Sequence, residues 1–217
     1  MPDERLRIKY PYLLLCEGKD AFNFLCNYLN SSSLSQEPKF STLIQVMDFG
    51  GNSDLRNFLI NLKNMDQFDQ VKSLAVIRDA EKDYQRACVE VERDLKKSGN
   101  IPPEQCSTWV KDGKLKIGYT LFPLNNREGT LEDLCLQILS EDNKDILSSI
   151  DSFLTQMELS YGRQYRQKHK NRLYTYLASS EKYVTMPLGL ASTAGAFNWD
   201  SIYLEPLKKF IAEGFPD

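Results

Sequence analysis

The sequence predicts an α/β fold: a mainly parallel central sheet with helices on both faces. Two observations carry this. Over residues 1–140, short apolar runs of strand length alternate with stretches whose apolar residues recur at helical spacing. From Glu141 the pattern is helical to the end. The expected division is an α/β domain over 1–140 and a helical C-terminal extension over 141–217 packed on it.

Tyr10–Cys16 (YPYLLLC) is an apolar run suited to a buried strand. Ala21–Leu29 reads as a helix with Phe22, Leu25, Cys26 and Leu29 on one face. SSSLSQEP is a polar loop. Thr42–Phe49 is a second strand, broken by Gly50-Gly51-Asn52, and Leu55–Met65 a second helix. Val71–Ile77 is a third strand, and a charged helix is expected from about Glu81 to Lys97. Cys106–Val110 and Lys114–Phe122 flank Asp112-Gly113, a hairpin turn signal. A helix opens near Thr130. In the tail, Asp145–Leu159, Tyr165–Ser179 and Ser201–Ala212 read as helices, and Tyr183–Phe197 as a loop.

Composition narrows the chemistry. At 217 residues, 41% hydrophobic and 26% charged, the chain can bury a substantial core. No apolar run approaches the ~20 residues of a membrane-spanning helix. The charged start, MPDERLRIKY, does not look like a signal peptide, so a cytoplasmic protein is expected. The five cysteines are scattered and form no C-x-x-C pair, which argues for reduced thiols over a zinc site or a disulfide framework. His169 is the single histidine, so zinc hydrolases built on two or three histidines are excluded for this chain alone. Hydrolytic chemistry here would use carboxylates and a hard metal ion. The net charge of -3 argues against tight nonspecific nucleic-acid binding without metal.

Carboxylates gather where ligands collect in open α/β sheets, beyond the carboxyl ends of the strands. The first strand runs into Glu17-Gly18-Lys19-Asp20, and the third into Asp79-Ala80-Glu81-Lys82-Asp83. The fourth leads to Thr130-Leu131-Glu132-Asp133 at a helix start. Taken singly, each group reads as helix capping or first-turn charge. Taken together, on neighbouring parallel strands, they would repel one another unless a cation neutralised them. Oxygen donors suit Mg²⁺ or Mn²⁺. Glu17, Asp79 and Glu81 are expected to converge within metal-bridging distance.

At these residues the sequence resembles the Toprim family of primases, topoisomerases and OLD-type nucleases. LLLC ends in Glu17-Gly18-Lys19-Asp20, like the family's E-G-x-x-D, and LAVIR ends in Asp79-Ala80-Glu81, like D-x-D with glutamate replacing the second aspartate. Thr130-Leu131-Glu132 resembles the S-x-E element of OLD-type nucleases, with threonine for serine. FPLNNREGTLEDL is similar to small stand-alone bacterial Toprim-like proteins. The resemblance covers Tyr10 to Leu139 and implies a Toprim, Rossmann-like fold and two-metal phosphodiester hydrolysis. It implies one ion on Glu17 and Asp79 and a second among Asp79, Glu81, Thr130 and Glu132. Asp20 and Asp83 would be outer or alternative ligands. It also implies a catalytic lysine after S-x-E, for which Lys168, Lys170 and Lys182 qualify and Lys170 is favoured. OLD-type relatives are commonly joined to an ATPase. This chain lacks G-x-x-x-x-G-K-[ST], so any ATPase would be a separate partner.

Arg163, Arg166, Lys168 and Arg172 surround Lys170, interleaved with Tyr161, Tyr165, Tyr174 and Tyr176. They read equally as a DNA- or RNA-binding surface, cations on phosphates and rings on bases, or as an amphipathic helix with its tyrosines in the core. The expected function is a metal-dependent nuclease, with an oligomer possible. The alternative is a non-catalytic Toprim-like subunit that binds nucleic acid, nucleotide or protein. Topoisomerase and primase activities need domains that this length leaves little room for.

Overall fold

The computed structural model describes residues 7–34, 40–51 and 54–215. Part of the expected polar loop after Asn30, Asn52 of the expected break and the first residues of the charged start lie outside them.

Among the described residues, five strands form one sheet: β1 Tyr12–Cys16, β2 Ile44–Asp48, β3 Ser73–Asp79, β4 Thr108–Asp112 and β5 Leu115–Phe122. Their order is β2-β1-β3-β5-β4. β2, β1, β3 and β5 run parallel, and only the edge strand β4 is antiparallel. The hairpin expected at Asp112-Gly113 is the β4–β5 turn, with Gly113 at φ 64 supplying the left-handed residue.

Eight helices are present among the described residues: α1 Gly18–Asn30, α2 Leu55–Lys63, α3 Tyr84–Lys97, α4 Leu131–Asp142, α5 Lys144–Tyr161, α6 Lys168–Ser179, α7 Leu188–Thr193 and α8 Glu205–Gly214. None is long and apolar enough to cross a membrane. Alternation along the strands divides the core in two. Leu14, Cys16, Ala75, Ile77 and Phe122 face a cluster built with α1, α4 and the tail helices. Leu13, Leu15, Leu74, Val76, Ile117 and Leu121 face α2 and α3. Leu147, Leu173, Leu188 and Phe210 share the first cluster with Phe24 and Leu134, so the tail helices complete one face of the sheet.

The tail is seated by close packing on the edge hairpin. The Trp109 ring stacks on Phe210 at 4.7 Å, and its Nε1 donates to the Phe210 carbonyl at 3.0 Å. A Cβ on Gly214 would stand 1.7 Å from Trp109, so only glycine lets α8 approach this ring.

Several boundaries differ from the sequence reading, three of them for a visible reason. The Tyr183–Phe197 stretch contains α7, whose Gly189 lies tightly against Asn23 and Asp20 of α1. Tertiary packing makes this segment helical although its proline, glycines and alanines read as a loop. α3 starts at Tyr84, not Glu81, because Glu81 takes φ 57 and pairs with Gly129 instead. α6 starts at Lys168, not Tyr165, after the left-handed Gly162 ends α5.

Candidate functional site

β1, β3 and β5 finish in register: Cys16 lies opposite Ile77, and Asp79 opposite Phe122. Glu17 therefore leaves β1 level with Arg78, and their carboxyl ends open on the same side of the sheet. Two loops there are tied to each other. Glu81 N–H donates to the Gly129 carbonyl at 2.8 Å, and Gly129 N–H to the Glu81 carbonyl at 2.7 Å. This fixes the start of α4 against the end of β3.

Asp79 is the centre. Its Oδ1 accepts from the Leu131 N–H at 2.9 Å, in the first turn of α4. Burial, then Glu132, push its carboxyl up to about 7; the Leu131 N–H opposes this, and Glu17 and Glu81 add to it. Glu132 is buried on α4, and its Oε1 lies 3.3 Å from Lys170 Nζ of α6. Although partial burial disfavours the charged lysine, Glu132, Asp79 and Glu81 hold Lys170 above its ordinary value.

The structure separates the other predicted residues. Glu17 occupies the N-cap position of α1 without using its side chain as a cap. Its Oε2 leans toward Arg78, 3.7 Å from Nε. Asp20 Oδ1 accepts from the Gly189 N–H at 2.8 Å, which fastens α7 to α1. Thr130 donates through both N–H and hydroxyl to Asp133, at 2.8 and 3.1 Å, in a capping box that starts α4. Asp83 caps α3, accepting from Arg86 N–H at 3.0 Å. Glu81 is exposed. Glu17, Asp79 and Glu81 thus do not converge as expected: among the described residues, no three His, Cys, Asp or Glu side chains are gathered to hold a metal ion. The physical reason is that Arg78 draws Glu17 aside, the Leu131 N–H holds Asp79, and Glu81 is exposed where its backbone pairs with Gly129. The donor chemistry still suits a hard cation, since every candidate is an oxygen donor and Asp79 is repelled by Glu132, Glu17 and Glu81. All five cysteines are free.

The basic residues divide as well. Lys168 pairs with Glu158 at 2.8 Å and Arg172 with Asp151 at 2.7 Å, so both clamp α6 to α5. Arg163 and Arg166 are exposed. Lys182 lies over the Tyr183 ring, 5.3 Å from its centroid. Tyr176 turns into the core, and Tyr161 and Tyr174 stay exposed. Beside Lys170, a cleft of about 320 Å³ opens between the β5–α4 loop and the start of α6, with Lys82, Thr130, Arg166 and His169 on its walls. The His169 Nε2 is buried there without a hydrogen-bond partner.

A family profile described as protein of unknown function (DUF3226) matches residues 11–216. The chain belongs to the DUF3226 family. No curated protein and no solved structure gives a significant match. In this DUF3226 chain the match spans the sheet and the tail helices alike, so the Lys170 side of the cleft lies within the family region as fully as the acids do.

Sequence reasoning missed two functional-site residues. Arg78 is a lone cation on the apolar face of β3; an inward charge in a strand that otherwise reads LAVI signals a buried partner. Asp48, at the end of β2, accepts from Gly18 and Gly50 N–H, both at 2.8 Å, and holds the β1–α1 loop. Its signal was the third strand-end acid, hidden inside an apparent strand.

Proposed function

We propose that this protein is a divalent-metal-dependent phosphodiester hydrolase of Toprim type that acts on nucleic acid. The observation that carries the reading is Asp79: a partly buried carboxylate at a strand end, flanked by Glu17, Glu81 and Glu132, with Lys170 beside Glu132. A cluster so repelled is poised for a cation. Glu17, Asp79 and Glu132 would hold Mg²⁺ or Mn²⁺, with Glu81 nearest the solvent side. The bound ion would supply charge neutralisation and an activated water.

The chain's own residues supply the rest. Lys170 projects a cation beside the acids, where negative charge develops on phosphorus oxygens during cleavage. Arg166, Lys82 and His169 line the adjoining cleft and would orient the strand through its phosphates. Asp20, Asp133 and Asp83 act structurally, by fixing α7, α4 and α3. In this proposal the protein works in the cytoplasm, and an ATPase, if one takes part, is a separate chain.

A specific observation favours a second reading, a non-catalytic binding subunit. Arg78 and Lys170 already neutralise Glu17 and Glu132, and Glu81 points to solvent. One assay separates the two: single- and double-stranded DNA and RNA incubated with Mg²⁺ or Mn²⁺ and with chelator. Cleavage by wild type that stops with chelator and in Asp79→Ala supports the hydrolase. Binding without cleavage under every condition supports the subunit.

A further inference from the structure

A second cavity, of about 220 Å³, lies on the opposite side of β3 from Lys170, between the end of that strand and the start of α3. Arg78 lines it, and the Arg78 side chain is only 1% exposed. Its Nε and Nη1 are buried with no hydrogen-bond partner. Glu17 stands 3.7 Å from Nε, beyond hydrogen-bond reach, and Glu90 pairs with the third nitrogen, Nη2, at 3.5 Å. Leaving N–H groups of a buried guanidinium unbonded is costly. The cavity wall carries two more cations, Lys82 and Arg86. Its acids are largely engaged. Asp83 caps α3, and Glu90 Oε1 is taken by Arg86 Nε at 2.9 Å. Glu81, which is exposed, also lines the cavity.

We propose that this cavity is a phosphate-binding subsite, in which Arg78 receives the oxyanion as a fork and Arg86 and Lys82 close over it. A guanidinium presents paired N–H donors that match two phosphate oxygens, which a lysine cannot do. The subsite borders Glu81 and shares Arg78 with Glu17. It would therefore take a phosphate neighbouring the one at Asp79 on the same nucleic-acid strand. That assignment to a strand rests on the function proposed above; the phosphate site itself does not.

Calorimetry with inorganic phosphate tests the site, in chelator so that no metal-dependent cleavage intervenes. Saturable binding is expected for wild type, weakened about tenfold in Arg86→Ala and in Arg78→Lys. Arg86 is 76% exposed, so that variant reports even if Arg78→Lys fails to fold. No binding by wild type, or binding unchanged in folded Arg86→Ala, overturns the proposal. A labelled oligonucleotide in the same buffer tests the source. Displacement by phosphate, with a salt slope smaller by about one in Arg86→Ala, assigns the site to a strand. Phosphate binding with no effect on the oligonucleotide overturns that assignment. Absence of cleavage with metal present would sink the hydrolase reading and leave these binding results untouched.

Discussion

Replacing Asp79 by asparagine is expected to stabilise the metal-free protein at pH 8 and to leave it unchanged near pH 4. In the folded chain the Asp79 carboxyl titrates at about 7, against an ordinary value of 3.8. Burial comes first among the causes, then Glu132. The folded state therefore binds the proton more tightly than the unfolded state. Below the ordinary value both states are protonated and Asp79 costs nothing. As pH rises from about 4 to about 7, the unfolded chain gains by ionising and the folded chain does not. Stability falls through that window and stays low above it. The rise from 3.8 to about 7 corresponds to at most about 4 kcal/mol. Asparagine keeps an oxygen for the Leu131 N–H and never ionises. Urea denaturation in chelator should show a gap between variant and wild type that is near zero at pH 4 and opens through pH 5–7. A gap that stays flat across the range would mean that Asp79 ionises as an ordinary surface acid.

Lys170→Ala is expected to lower the turnover of metal-dependent cleavage by about 10²-fold, the scale of one positioned charge at a developing oxyanion. Stability should change far less, by about 1 kcal/mol, because the Lys170 side chain is 40% exposed and its pairing with Glu132 is partly screened. Lys170→Arg should also impair turnover, since the guanidinium places its charge differently from an ammonium. Loss of affinity with full rate at saturating substrate would make Lys170 a phosphate anchor. Full activity in Lys170→Ala would remove the role from this lysine. Lys168 is the natural control, because it faces Glu158 and not the acids.

Much of the fold was legible because its signals are local. β1 is an unbroken apolar run, β3 is built on the apolar LAVI, and Asp112-Gly113 announces a hairpin. The α7 segment was not legible, since its helix depends on Gly189 seating against Asn23 and Asp20 of α1. The start of α3 was misread for a related reason: Glu81 gives up helical geometry to bond Gly129, a partner far along the chain. At the site, the acids of the strand ends were visible as residue types. Which of them are spent as caps was not, since Asp83, Asp133 and Asp20 differ from Asp79 only in what folds beside them. Arg78 shows the limit most clearly. Its sequence neighbours mark it as buried, but the partners it approaches come from the β1–α1 junction and α3.

The central claim is that the carboxylates around Asp79 bind a divalent cation, and calorimetric titration with Mn²⁺ at pH 8 tests it most directly. Wild type should bind saturably and release protons as the ion displaces those still shared at Asp79, and Asp79→Ala should lose the binding while keeping the wild-type circular dichroism spectrum. Equal binding by wild type and Asp79→Ala, or no binding by either, would contradict the account.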